Sequence, residues 1–376
     1  MILVPTQLGK HFWPEWSLVD GIRIDYLAPT WYLTDILWVL WIATSFNWKD
    51  FWKKTKKYWW VGVLVVINVL MAKNGWVAGI KWLRWGALVI TIFNLKFEIF
   101  KAKEKLLKVI PYWIGGETLI GVAQVINAGS LGGIFWWLGE RTFDLSTIGI
   151  AQIEWWGEKT IRAYGTFSHP NSLAGFLLVS WWWFSQNQKE RRIGWWIVWW
   201  MGLIGILISG SRTVWLITGI LIIKKIVEIY RVKRIKALGF GLMVAGIVVG
   251  VMALMSWNFE LRAIVGGWDS ESLKKRWDLT VVAMKMIKDN WLWGVGANNF
   301  LVEIKNYYSG WWQPVHNIFL LLLTEVGLVG GGVVAMFLRK LKWKKIYWLI
   351  ILTGLVDHYW ITLPQNWWLM AIILGL

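Results

Sequence analysis

Long apolar runs separated by short polar stretches repeat along most of the chain. Runs of about twenty apolar residues match the hydrocarbon thickness of a bilayer, whereas helices on a soluble core show a one-sided periodicity. The pattern predicts helices near 30–47, 59–72, 76–95, 106–127, 170–185, 193–209, 213–230, 235–256, 315–338, 345–356 and 366–376. The expected fold class is an all-α integral membrane protein of about 10–12 transmembrane helices, forming a single polytopic domain over residues 1–376.

Two departures from this alternation stand out. Pro5, Pro14 and Pro29 break the stretch 1–29 and predict a re-entrant or surface-lying segment in place of a straight span. Downstream, Leu273, Trp277, Val281, Met284 and Ile287 recur at helical spacing among charged residues. They predict an amphipathic helix on the membrane surface, ended by Gly294-Val295-Gly296.

The formal charge of +18 would suggest a nucleic-acid partner in a soluble chain. Here its distribution matters more. Five connections, 48–58, 96–108, 186–192, 224–236 and 339–345, hold 24 basic and 5 acidic residues, and the rest of the chain is nearly balanced. The excess of lysine and arginine marks these connections as cytoplasmic, with no role for nucleic acid. Loops 139–169 and 257–314 then lie outside, as do all four histidines, His11, His169, His316 and His358. The expected placement is a membrane crossed many times, with the histidines and the two large loops on its outer face. The chain holds no cysteine, which excludes disulfides and thiolate metal sites. Its 37 tryptophans exceed what interfacial belts need and read as a compositional bias.

Polar groups at membrane mouths are costly, so they mark function. Arg162, Arg212 and Arg276 share the outer face with the histidines. Guanidinium groups fork onto phosphate oxygens, and an imidazole near them suits proton transfer at neutral pH. Competing structural roles remain for each residue. His169 before Pro170-Asn171 suits a helix cap, and His316-Asn317 suits a hydrogen-bonded helix start. Arg212 can snorkel to a headgroup, Arg276 can sit on a solvated lipid-binding face, and Asp357-His358 reads as a local tether. Glu117 and Glu325 read as hydrogen-bonding groups between helices. No metal-binding spacing, P-loop or dinucleotide fingerprint is present.

Four stretches in order carry a resemblance: 162–174, with Arg162, Gly165-Thr166-Phe167, His169 and Asn171; Ser209-Gly210-Ser211-Arg212; Arg276-Trp277-Asp278 through Gly296; and His316-Asn317 leading to Glu325. Over roughly residues 110–376 the chain resembles the O-antigen ligase and O-antigen polymerase superfamily of bacterial membrane glycosyltransferases. The resemblance implies a fold similar to GT-C glycosyltransferases with a large structured outer loop. It implies transfer of a glycan from a polyprenyl-pyrophosphate carrier to a lipid-anchored or glycan acceptor, among membrane lipids, without metal or other cofactor. It assigns His316 as base and Arg212 and Arg276, with Arg162, to the pyrophosphate. His169, Asn171 and Asn317 would support them. Trp291 departs from the family, which often has proline there. A polymerase is the alternative within the family. A flippase or transporter of polyprenyl-linked glycans is the alternative outside it, disfavoured by the lack of paired repeats and the one-sided histidines.

Overall fold

A computed structural model describes residues 1–97, 99–155, 158–188, 193–232, 270–341 and 343–376. The expected span 235–256 and residues 257–269 of the second outer loop lie outside the described residues, as do residues 189–192. The protein is mostly helical. Its helices are α1 (Leu33–Ser45), α2 (Trp48–Thr55), α3 (Trp59–Met71), α4 (Gly75–Phe97), α5 (Ile99–Asn127), α6 (Ile134–Trp137), α7 (Pro170–Asn187), α8 (Ile193–Ile208), α9 (Arg212–Val232), α10 (Ser270–Asp289), α11 (Phe300–Glu303), α12 (Ile318–Arg339), α13 (Lys345–Gly354), α14 (Tyr359–Thr362) and α15 (Pro364–Gly375).

Each predicted span within the described residues is a helix, but not each crosses a bilayer alone. Among the described residues three helical stretches are long and apolar enough to do so: Gly75–Lys96, Lys101–Asn127 and Ile318–Arg339. Others are shorter; α1 and α13 have 13 and 10 residues. At 1.5 Å per residue they fall short of a hydrocarbon layer roughly 30 Å thick.

The stretch 1–29 is not a span, and its helical content is the short 3-10 turn Glu15–Ser17. It folds into short antiparallel ribbons, β1 (Gly9–His11) against β4 (Thr30–Tyr32) and β2 (Leu18–Val19) against β3 (Ile22–Arg23). Asp20 and Gly21 both take positive φ, 51° and 77°, which is the turn that Asp-Gly favours between strands. A third ribbon, β5 (Gln152–Trp155) with β6 (Glu158–Ile161), lies in loop 139–169. The all-helical expectation therefore needs six short strands added.

The main core packs α7 against α5, α8 and α13, with Trp113, Phe167, Phe176, Leu177 and Trp360 almost fully buried. Two of the core tryptophans have an acceptor for the indole N–H. Trp181 donates to the Trp199 carbonyl at 3.0 Å, and Trp360 donates to Thr353 Oγ1 at 2.7 Å.

Helix α12 is broken. Gly327 has φ 63° and ψ −171°, and the chain on either side pairs with the segment after α10. Val295 N donates to the Thr324 carbonyl at 2.9 Å, and Leu328 N donates to the Trp291 carbonyl at 2.8 Å. Backbone that leaves a helix at membrane depth must be satisfied by protein. Asn68 of α3 completes the junction: its amide donates to the Trp293 and Glu325 carbonyls and accepts from Ala297 N and Trp82 Nε1. A Cβ on Gly294 would lie 2.5 Å from Glu325 backbone atoms, so that crossing requires glycine. The Trp291 contact uses a carbonyl, which proline and tryptophan share, so the departure from the family leaves the turn intact.

The amphipathic helix is present as α10, but its buried stripe is Leu279, Val282, Ala283 and Met286. Trp277 and Met284, expected on the apolar face, are 68% and 55% exposed. The helix has two apolar faces, one packed on α12 and one open.

Candidate functional site

Residues scattered over two hundred positions converge at one end of the bundle. The turn Tyr164-Gly165-Thr166 is fixed from below by α5. Gln124 Oε1 accepts from Tyr164 N and Gly165 N, at 3.1 and 2.8 Å. Glu117 accepts from Thr166 N and Thr166 Oγ1, both at 2.8 Å. Glu117 therefore anchors the Gly-Thr-Phe stretch, and Gly165 at φ 57° packs directly on its carboxylate.

This turn presents Arg162 on one side and His169 on the other. Arg162 Nε donates to the Ser209 carbonyl at 2.7 Å, and Nη2 donates to Asn171 Oδ1 at 2.6 Å. Gly210, at φ 65°, lets the guanidinium lie close, since a Cβ there would be 2.8 Å from Arg162 Nε. His169 is the N-cap of α7 and accepts from Asn171 N through Nδ1 at 3.1 Å. Burial pushes its imidazole down to about 4, with Arg162 adding to the shift and Asp357 opposing it. The structural role of His169 is thus a cap at the edge of the site.

Asn171 carries the network onward. Its Nδ2 donates to Asp357 Oδ2 at 2.8 Å, and His358 N donates to Asp357 Oδ1 at 2.8 Å. Burial alone would raise the Asp357 carboxyl, but His358, His316, His169 and the Asn171 amide outweigh it and hold the group down to about 2. His358 is buried, shares a hydrogen bond through Nδ1 with Thr362 Oγ1 at 2.8 Å, and lies edge-to-face with Tyr26 of the amino-terminal ribbons. Asp357 and His358, which the sequence suggested as a local tether, stand inside the site. The available signal was the expectation from the sequence that they share a face with His169 and His316.

His316 completes the cluster. Its ring centroid is 5.2 Å from that of His358, and its buried Nδ1 has no hydrogen-bond partner among the described residues. Burial lowers its titration; Asp357 opposes this and Arg276 adds to it. Asn317 caps α12 by accepting from Phe319 N and Leu320 N, and its Nδ2 holds the Leu355 carbonyl at 3.1 Å. It ties the His316 loop to the loop bearing Asp357. Arg276 on α10 and Arg212 at the first residue of α9 lie within electrostatic reach of Arg162. Arg162 and Arg276 therefore stand beside the carboxylate and imidazole cluster, with Arg212 in reach of Arg162.

Among the described residues, His316, Asp357 and His358 are the groups that could hold a cation, with one ligand atom from each lying within 4.8 Å of the others. The guanidiniums of Arg162 and Arg276 beside them work against a cation there and favour an anion.

Residues 196–335 match the family model of O-antigen ligases. The match takes in Arg212, Arg276 and His316 and supports the O-antigen ligase and polymerase superfamily read from the motifs. It is narrower than the motif resemblance, spanning little more than a third of the chain, and leaves Arg162, His169, Asn171 and Asp357 outside. Neither the curated proteins nor the solved structures yield a match.

Asn171 can be tested without an assay of activity. Asn171→Ala removes one donor from a buried carboxylate, a loss of about 1–3 kcal/mol. With four histidines in the chain, selectively labelled protein gives few imidazole signals. Those of His316 and His358 are expected to move in the variant. Unmoved signals would show that the amide does not set the Asp357 geometry.

Proposed function

We propose that the protein is a metal-independent glycosyltransferase of the O-antigen ligase type, GT-C-like in arrangement, in cell-surface polysaccharide biosynthesis. The donor is a glycan on a polyprenyl-pyrophosphate carrier, and the acceptor is a hydroxyl on a lipid-anchored or glycan partner. The observation that carries this reading is the unpartnered, buried Nδ1 of His316 beside the Asp357 carboxylate and near Arg276. A buried polar atom without a partner is rare in folded proteins and marks sites that meet a ligand.

In the reaction, the acceptor O–H gives its proton to His316 as its oxygen bonds to the anomeric carbon. The bond from that carbon to the pyrophosphate oxygen breaks, and the electron pair leaves with the pyrophosphate. Arg212 and Arg276 hold that leaving group and offset its growing charge. Arg162 already spends two donors on Ser209 and Asn171. Its remaining N–H groups serve the phosphate, and its fixed ones position Asp357 through Asn171. His169 and Asn317 support this as helix caps.

Purified full-length protein incubated with polyprenyl-pyrophosphate glycan and separate acceptors is expected to release carrier pyrophosphate and glycosylate the acceptor, with or without a chelator. Longer carrier-linked chains from donor alone would select the polymerase. Donor that crosses vesicles unchanged would select the flippase.

The site faces the periplasm in this reading, with the basic connections in the cytoplasm. Lys340 Nζ meets Tyr58 Oη at 2.8 Å, and Lys344 senses Lys96 and Lys103, so three of the five basic connections gather at one end. Single cysteines at Ser270 and Lys189 test the sides. An impermeant thiol reagent is expected to label position 270 in intact cells with an opened outer membrane and to spare position 189. The reverse labelling would invert the assignment.

A further inference from the structure

At the end of the helices away from the histidines, an apolar groove of about 230 Å³ opens between α7, α9 and α13. Trp182, Ile217, Leu221, Trp348 and Leu352 form its walls, and Lys224 and Lys345 stand at one end. Ile217, Ile220, Leu221 and Lys224 form a continuous stripe on α9, because residues three and four apart share a helix face. Lys224 is about 18 Å along that helix from Arg212. The groove therefore has its charged mouth at the opposite end from the pyrophosphate site.

The mouth is more basic than its two lining lysines. Lys344 lies next to Lys345 and is pushed below the ordinary lysine range by burial and by Lys103 and Lys96. Among the described residues, the acidic groups of the adjoining segments are committed elsewhere: Glu104 to Lys108 and Glu228 to Lys225. Among the described residues, Lys96, Lys103, Lys224, Lys344 and Lys345 have no carboxylate partner. Ammonium groups gathered from four helices repel each other unless an anion joins them.

We propose that this groove binds an anionic phospholipid of the leaflet on that side, its phosphate held by Lys224 and Lys345 and one acyl chain lying between α9 and α13. A polyprenyl tail reaching down from the pyrophosphate site would bring hydrocarbon but no charge to this end, so it leaves the lysines unanswered. A phospholipid matches both the apolar walls and the basic mouth. The inference stands apart from the proposed transfer reaction.

The test uses the full chain in nanodiscs of phosphatidylcholine with a minor fraction of phosphatidylglycerol. Lipid retained after gentle extraction is identified by native mass spectrometry. Phosphatidylglycerol is expected to be enriched over its bulk fraction by on the order of tenfold. The variant Lys224→Gln with Lys345→Gln is expected to bring it to parity. Leu221→Trp, which leaves every charge in place and fills the groove, is expected to lower it too. Lys53→Gln with Lys57→Gln, on the same basic end but outside the groove, is expected to change nothing. Equal retention of both lipids by the unaltered protein overturns the proposal. Loss of enrichment only in the Lys53 and Lys57 variant does so as well, since it reports general surface attraction.

Discussion

Replacing His316 by alanine is expected to lower glycan transfer by about 10²–10⁴-fold, the range lost with a general base, while donor binding survives. Donor binding survives because Arg212 and Arg276 come from other elements, α9 and α10, and need no contact with the imidazole. The ring also packs near His358, so a volume loss could disturb the cluster. His316→Gln keeps much of the bulk and is expected to be equally inactive. Melting curves for both variants should overlay the parent. An active alanine variant would remove His316 as base and turn attention to His358.

The pH dependence follows from the same ring. A base must be neutral, so the competent fraction rises as pH passes upward through the His316 titration. Burial and Arg276 move that titration below the ordinary imidazole value of about 6.5. Turnover is expected to be flat through neutral pH and to fall only on the acid side of the ordinary imidazole value. An unperturbed ring, which is all the sequence supplies, would put the rise through roughly 6–7. A rise centred above pH 7 would place the limiting group elsewhere, because nothing at the site raises His316 beyond its free value except Asp357, which burial outweighs.

Much of this site was legible in the chain because its residues stand next to apolar runs where polar groups are costly. His316, Arg276, Arg162, His169 and Asn171 stand at such mouths and come together in the structure, with Arg212 within electrostatic reach of Arg162. Asp357 and His358 were discounted for a physical reason. Adjacent residues at a helix end have an adequate local explanation, and only the contact from Asn171, 186 positions away, reveals another. The stripe on α10 was misread because the helix has two apolar faces, and spacing cannot say which one meets protein. The break at Gly327 was hidden inside a continuous apolar run. Its cause is the approach of Trp291 to Gly296, a long-range pairing that hydropathy does not register. The strands of the first thirty residues were too short to show alternation, though Asp20-Gly21 was a turn signal in plain view.

Arg212→Lys and Arg276→Lys are each expected to cost about 10²-fold in turnover, close to 3 kcal/mol. Lysine keeps the charge, so a site that needed only positive potential would tolerate it. The proposed task is different. As the anomeric bond breaks, charge grows on pyrophosphate oxygens, and a planar guanidinium can donate two parallel N–H bonds to them. An ammonium is a point charge with stronger hydration and cannot reproduce that fork. Arg212 is suited to the task because it opens α9, where it is exposed and the helix N-terminus adds positive potential toward an anion. Arg276 is suited because it sits six residues into α10, on a helix fixed by Leu279, Val282 and Met286, so its approach to the cluster is set by packing. Neither side chain has a carboxylate partner among the described residues, which leaves both forks for a ligand. Arg162→Lys differs in kind: it removes the bonds to Ser209 and Asn171, so it is expected to lower the melting temperature as well as turnover. The discriminating measurement is turnover beside donor affinity and melting temperature for all three variants. Near-parental turnover in both Arg212→Lys and Arg276→Lys would reduce these residues to headgroup contacts and leave the pyrophosphate without its clamp.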